Sequence, residues 1–161
     1  MRASLDQIVP MPSTATVSSP ACACGRLRRA TRALTQLYDD LMAPSGLRVT
    51  QFSLLRTLAR EGSSRMSDLA ETLLLDRTAL SRTLDSLVER GLVAIVSGED
   101  ARTRVVSLTR AGEKAIRAAE PHWARAQTQV AHKLGRVKLD ALIATLGEVE
   151  ALHPDPGGRD R

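Results

Sequence analysis

The spacing of apolar and polar residues predicts six helices and one β-hairpin. Between about 22 and 43, apolar residues recur every three or four positions, as on an amphipathic helix. Similar stripes predict further helices from Thr50 to the break at 61–64, and at about 66–73, 77–90, 110–133 and 136–152. Between the helices at 77–90 and 110–133, two short β-branched runs, Leu92–Val96 and Thr103–Leu108, flank a polar turn and predict a hairpin.

The ends of the predicted helices carry residues that suit helix boundaries. Thr50, Asp76 and Thr109 are each expected to cap a helix, because a short side-chain oxygen can accept from a free backbone N–H. Gly91 follows a helix directly and is a natural stop. The prolines and the Ser/Thr run before residue 22 predict a disordered arm over 1–21, and 153–161 is expected to be a flexible tail.

The outer helices have apolar stripes that the middle of the chain is too small to cover. We therefore expect a compact lobe at about 50–108 and dimerisation helices at about 22–43 and 110–152, which interleave with those of a second copy. The alternative is one larger core in a monomer. The fold class predicted is mainly α with a small β-hairpin, arranged as a winged helix-turn-helix with a helical dimerisation lobe.

Composition and charge narrow the partners. The chain has 161 residues, a net charge of +5 and a pI of about 10.0, which favours polyanions. Its three aromatic residues are too few to stack single-stranded nucleic acid, so double-stranded DNA is the expected partner. No apolar run approaches the roughly 20 residues of a membrane-spanning helix. We expect no membrane partner and a cytoplasmic location.

The segment from 67 to 90 has the pattern of a helix-turn-helix, in which a short helix precedes one with a polar outer face. Base edges in the major groove are read by arginine and by short polar side chains. The first turns of the second predicted helix offer such groups, and the DNA-contact residues predicted there are Arg77, Thr78, Ser81 and Arg82. The alternative is a merely solvated face, since acidic residues match the basic ones in this stretch.

The hairpin supplies a second predicted contact with DNA. Its tip carries Arg102, which could enter a minor groove, and Asp100, which could pair with Arg102 and orient it. Arg104 is a predicted phosphate contact. These residues would form the wing.

Several runs of the sequence resemble the MarR family of bacterial transcription regulators over about 22–152. The runs are Asp68–Glu71, Leu75–Arg82, Leu87–Val93, Asp100–Arg102 and Leu108–Gly112. The resemblance implies a winged-helix dimer that represses transcription at palindromic operators and is released by a small phenolic ligand or by an oxidant. One departure is Leu74, where many members have glycine, so the turn before the recognition helix could be shaped differently.

The first helix resembles that of the branch of this family that senses organic hydroperoxides. Cys24 matches its reactive cysteine and Tyr38 one of its activating tyrosines, while the second tyrosine position falls at Val49. On a helix, Cys24 and Tyr38 would share a face and Cys22 would point to nearly the opposite side. The alternative is that Cys24 is a small buried hydrophobe.

Two further expectations concern ligands and catalysis. His122 and Trp123 could line an effector pocket between the two lobes, although such a tryptophan is more often part of a core. The sequence has no Gly-rich phosphate loop, nucleophile elbow or metal-ligand spacing, so we expect no enzyme, no cofactor and no metal. A helical protein-interaction adaptor without DNA binding is the alternative of a different class.

Overall fold

A computed structural model describes residues 22–98, 100 and 103–153 of the chain. The predicted arm at 1–21, Arg102 and the tail beyond His153 lie outside the described residues. The elements, in chain order, are α1 (Ala23–Met42), α2 (Val49–Glu61), β1 (Ser64–Arg65), α3 (Met66–Thr72), α4 (Arg77–Glu89), β2 (Val93–Ser97), β3 (Arg104–Leu108), α5 (Arg110–Leu134) and α6 (Arg136–Glu150). A short 3-10 turn, Ala43–Ser45, follows α1. The predicted order of helices and hairpin is confirmed.

The sheet contains one strand more than the sequence predicted. In the described part of the chain it is antiparallel, with β3 between β1 and β2. The hairpin register runs from Val93 opposite Leu108 to Ser97 opposite Arg104. The two-residue strand β1 places Arg65 opposite Val105. A strand this short has no period to read, and its partner lies far along the chain.

Two of the three predicted helix caps are confirmed. The Asp76 carboxylate accepts from the backbone N–H of Ala79 at 2.8 Å, at the start of α4. The Thr109 hydroxyl oxygen accepts from the backbone N–H of Gly112 at 3.0 Å, at the start of α5. Each satisfies one backbone donor that the first helical turn leaves without a partner.

The prediction that Thr50 caps α2 was wrong. The helix begins at Val49, with Arg48 as its cap residue. The Asp39 carboxylate, on α1, accepts from the Val49 N–H at 2.8 Å, and the Gln51 side chain accepts from the Arg48 N–H at 3.1 Å. The first backbone donor of α2, the Val49 N–H, is therefore satisfied by a carboxylate from another helix, which local sequence cannot reveal.

The largest buried cluster lies between α2, α3, α4, the sheet and the first half of α5. Its fully or almost fully buried members are Met42, Leu47, Phe52, Leu54, Leu55, Leu58, Leu69, Leu80, Leu84, Leu87, Leu92, Val93, Val106 and Ala119. Most of these residues come from the segment predicted as a separate lobe. By contrast, α6 contributes no buried residue.

The start of α5 is tied to the beginning of the hairpin through Thr109. Its hydroxyl donates to the Gly91 carbonyl at 2.7 Å, and its backbone N–H donates to the Leu92 carbonyl at 3.2 Å. A Cβ atom added at Gly112 would overlap the Leu92 carbonyl oxygen. Glycine is required there because the helix backbone lies directly against the hairpin backbone.

The turn between α3 and α4 contains a residue in the left-handed region. Leu74 has φ of 51°, a backbone conformation that glycine adopts more easily. Its N–H donates to the Glu71 carbonyl at 2.9 Å, and the N–H of Leu75 donates to the Ala70 carbonyl at 2.8 Å. This hydrogen-bond pair is the Schellman motif. The turn therefore adopts the usual glycine geometry with a leucine.

Candidate nucleic-acid interface

The outer face of α4 is held in place by its buried face. Leu80, Leu84 and Leu87 are completely buried against the core, so the helix cannot rotate without exposing them. Thr78 and Arg82, four residues apart, lie side by side on the exposed surface. The geometry leaves this pair free to meet a base edge.

A cleft of about 400 Å³ lies between the start of α4, the β1–α3 junction and the hairpin. The residues that line it are Arg65, Met66, Ser67, Arg77, Ser81, Thr103 and Arg104. The structure thus brings together three of the predicted DNA-contact residues: Arg77 and Ser81 from the start of α4, and Arg104 from the base of the wing. It also adds Arg65, which sequence analysis missed because the pairing of β1 with β3 is not local.

The three arginines of this cleft form no ion pair within the described part of the chain. The two nearest acidic residues in sequence already accept hydrogen bonds: Asp76 from the Ala79 N–H, and Asp68 from the Ser67 hydroxyl at 2.8 Å. The guanidinium groups are therefore available to an external anion.

The tip of the wing is described only in part. The Thr103 N–H donates to the Asp100 carbonyl at 2.8 Å, and the Gly98 N–H donates to the Thr103 carbonyl at 2.7 Å. These bonds link the described residues on the two sides of the wing tip. Arg102 lies outside the described residues, so its pairing with Asp100 stays a prediction.

A second cavity, of about 730 Å³, lies between α1, α2 and α5. Trp123 lines it, and its ring centroid is 6.0 Å from that of Phe52. The guanidinium carbon of Arg56 lies 4.6 Å from the Trp123 centroid. His122 is not among the described residues that line the cavity. Successive helical residues point 100° apart, so only one of the predicted pair faces this space.

The candidate redox residues lie at opposite ends of α1. Fourteen residues of a continuous helix separate Cys24 from Tyr38, a rise of about 21 Å, so the two side chains of one chain cannot touch. Burial raises the pKa of the Tyr38 phenol, which stays neutral at neutral pH. Cys24 is exposed in the single chain, against the alternative that it is buried. Cys22 is the cap residue before α1 and not a helical residue, so the rotation of 100° per helical residue does not give its direction.

Two features are absent from the described residues. No helix there combines the length and apolar character that crossing a membrane requires. Nor do three His, Cys, Asp or Glu side chains in that part of the chain lie close enough together to hold a metal ion.

Structural comparison places the chain beside DNA-bound regulators. It is 41% identical to the M. tuberculosis transcriptional regulator MosR, solved in complex with DNA, with a TM-score of 0.70, covering 83% of this chain and 99% of MosR. It is 28% identical to the transcriptional repressor CouR bound to a 23-mer DNA duplex, with a TM-score of 0.72, covering 80% of this chain and 92% of CouR. A mutant MarR from E. coli, solved with operator DNA, is 23% identical with a TM-score of 0.69 and supports the fold alone.

Sequence comparison agrees with the structural one. A profile of the MarR family matches residues 45–103, which span α2, the helix-turn-helix and the described start of the wing. Comparison with curated protein sequences gave no significant match. The identity to MosR extends over almost its whole length, and the winged-helix fold predicted from the sequence is confirmed. The chain belongs to the MarR family of transcriptional regulators.

Proposed function

We propose that this protein is a homodimeric repressor that binds a palindromic operator in double-stranded DNA. The observation that carries the proposal is the exposed polar face of α4 beside an arginine-lined cleft at the base of the wing. In this assignment the lobe at about 50–108 binds DNA, while the helices at about 22–43 and 110–152 form the dimer. Its relative MosR was solved with DNA, which supports the same role here.

The dimer is supported by apolar surface that the single chain leaves uncovered. On and just after α6, Val137 is 82% exposed, Ile143 58% and Leu152 79%. Val149 and Leu152 also form, with Cys24 and Leu27, part of an apolar groove of about 640 Å³ against the start of α1. To bind a palindromic operator, a second copy on this surface must place the two α4 helices about one helical turn of DNA apart, roughly 34–36 Å.

The predicted contacts then have distinct places on the duplex. The start of α4, with Arg77, Thr78, Ser81 and Arg82, enters the major groove. Asp100, Arg102 and Arg104 belong to the wing, which lies over the adjacent minor groove. Arg102 is placed in that groove because a narrow minor groove has a strongly negative potential, and Arg104 contacts a phosphate.

The first experiment measures sequence preference. Wild-type protein selects duplexes from a random-sequence pool, and binding of the selected duplex is compared with binding of an unselected one. Arg82→Ala should weaken binding to the selected duplex by about 1–3 kcal/mol and relax the preference at one base pair. Lys114→Ala, an exposed charge on α5, is the matched control and should bind normally.

Two results would contradict the proposed function. If wild-type protein retains no duplex above the random pool, the helical adaptor becomes the better interpretation. If Arg82→Ala weakens both duplexes equally, α4 does not read bases. Sedimentation of the free protein at micromolar concentration tests the dimer separately.

A small-molecule effector of phenolic type is proposed for the cavity beside Trp123. Its aromatic wall and the Arg56 guanidinium suit a flat ring that carries a polar or anionic group. The relative CouR has been solved with p-coumaroyl-CoA.

Trp123 is the chain's one tryptophan, so its fluorescence reports directly on this cavity. Added 4-hydroxybenzoate should quench it saturably and release the selected duplex, and Arg56→Ala should weaken both effects. Unchanged fluorescence and DNA binding would remove this phenolic acid from the proposal.

Thiol oxidation is the second candidate for release, favoured by the exposure of Cys24. The thiolate would attack the peroxide oxygen and break the O–O bond, so that the thiol becomes a sulfenic acid and the peroxide leaves as an alcohol. Because Tyr38 is about 21 Å away on the same helix, a phenol could help only across the dimer. Cumene hydroperoxide should then release DNA from wild-type protein and from Cys22→Ser, but not from Cys24→Ser. Release from all three would exclude this thiol.

A further inference from the structure

The polar surface of α4 divides into two faces. Arg77 and Ser81 are one turn apart and both line the cleft at the base of the wing. Thr78 and Arg82 are also one turn apart but do not line it, among the described residues. Each pair is rotated by about 100° from the other, so the two pairs face different parts of a bound duplex.

The cleft gains its third arginine from outside the reading helix. Strand β1 pairs with β3 and places Arg65 opposite Val105, and Arg65 and Arg104 both line the cleft. Arg65 therefore comes from before α3, Arg77 from the start of α4, and Arg104 from the wing. Three separate elements converge on one space of about 400 Å³.

The chemistry of this space suits a phosphate more than a base edge. Each guanidinium presents N–H donors in a fixed fork that matches the oxygens of a phosphate, and has no acceptor. The hydroxyls of Ser81 and Thr103 add further donors. A base edge also offers donors of its own in most base pairs, which three guanidinium groups could not satisfy.

The position of the cleft identifies which phosphates these are, on the basis of the proposed function. With α4 in the major groove and the wing over the adjacent minor groove, one DNA strand must pass between them, because each groove is bounded by a sugar–phosphate backbone. The cleft lies between these two elements. We propose that Arg65, Arg77 and Arg104 hold phosphates of this strand, whereas Thr78 and Arg82 read bases. Arg65 is thereby added to the DNA-contact residues.

The experiment compares loss of affinity with loss of sequence preference. Arg65→Ala should weaken binding of the selected and the unselected duplex by the same factor, at least about tenfold, and leave the base preference unchanged. Arg77→Ala should behave in the same way, whereas Arg82→Ala should weaken mainly the selected duplex. Arg117→Ala, which also removes one exposed positive charge but lies on α5, is the matched control and should have little effect.

The salt dependence gives an independent readout. Loss of one phosphate contact makes the negative slope of log K against log salt shallower by about 0.9, and by about 1.8 when both copies of the dimer lose the contact. Arg65→Ala should show this change, and Arg65→Lys should keep most of the slope. Thermal unfolding of each variant separates a lost contact from a misfolded lobe.

The competing source of a phosphate is the free ion. At constant ionic strength, inorganic phosphate should displace the duplex no better than chloride does, because the proposed site holds a diester fixed by the rest of the duplex. The proposal would be overturned if phosphate displaces the duplex selectively, Arg65→Ala abolishes that displacement, and the same variant leaves DNA affinity unchanged. The proposal would also be overturned if Arg65→Ala binds DNA with normal affinity while Arg82→Ala loses its base preference. If wild-type protein selects no duplex at all, the proposed function fails first.

Discussion

The helix-turn-helix region and α6 differ in how completely one chain buries their apolar residues. In α4, Leu80, Leu84 and Leu87 are fully buried, and the polar side chains lie on the opposite face. In α6 no residue is buried, although it carries a comparable number of large apolar side chains. The first region is complete as a fold within one chain. The second has an apolar face that only another surface can cover.

This contrast separates two kinds of stability. Apolar area that is buried within the chain stabilises folding at any protein concentration. Apolar area that is covered by a second copy stabilises the protein only as far as the copies associate. Substitutions in the two regions should therefore respond differently to dilution. Four variants, in order of decreasing effect, test which contacts stabilise the single chain and which stabilise the dimer.

Leu84→Ala should have the largest effect. It removes a completely buried side chain from α4, and the cavity left behind should lower the free energy of unfolding by about 3–4 kcal/mol. Urea unfolding followed by circular dichroism measures the loss. Val88→Ala, at an exposed position on the same helix, should cost about 1 kcal/mol or less. Equal losses would show that the core is not where the structure places it.

Gly112→Ala tests the contact that joins the hairpin to α5. The added methyl group overlaps the Leu92 carbonyl oxygen, so the free energy of unfolding should fall by about 2–3 kcal/mol. Gly147→Ala is the matched control, because a Cβ there has no atom within 4 Å. It should stabilise α6 by about 0.5–1 kcal/mol, through reduced freedom of the unfolded chain. A neutral Gly112→Ala would mean that α5 can shift away from the hairpin.

Ile143→Asp tests the proposed dimer surface. Placing a charge on the apolar face of α6 should weaken association by about 2 kcal/mol, measured by sedimentation equilibrium. Helical content at high protein concentration should change little, because no buried contact is lost. Thr145→Asp adds the same charge to the opposite side of α6 and should associate normally. Normal association of Ile143→Asp would place the interface elsewhere.

Leu74→Gly should have the smallest effect and the opposite sign. Glycine relieves the left-handed backbone of the turn, so stability should rise by about 0.5–1 kcal/mol. Leu75→Gly, at the next position, lacks this benefit and should lower stability by a similar amount through added freedom of the unfolded chain. Thermal unfolding distinguishes the two. A loss of stability in both variants would mean that the Leu74 side chain stabilises the fold by more than its left-handed backbone destabilises it.

The sequence predicted the elements well because their causes are local. The periods of the helices, the caps at Asp76 and Thr109 and the hairpin all depend on neighbouring residues, and the structure has them within two residues of the expected bounds. The errors have non-local causes. The cap at Thr50 was displaced by Asp39 from another helix, and β1 exists only through its pairing with β3.

The candidate site was predicted less completely than the fold. Polar residues on α4 could be identified from their spacing, but the division between Arg77 and Arg82 needs the position of the wing. Arg65 has no feature in the sequence that separates it from any other surface arginine. Trp123 and His122 were predicted together, and only the rotation of α5 shows which of them faces the cavity.

The hydrogen bonds of Thr109 have a mechanical consequence. They fix the end of the reading helix, the wing and the first turn of α5 to one another, so these parts should tilt as a unit and not bend separately. In the proposed dimer, a small change in the angle between the α5 helices of the two copies would then tilt both DNA-binding lobes. Release from DNA would then follow from a changed distance between the two DNA-binding lobes, each of which keeps its own structure.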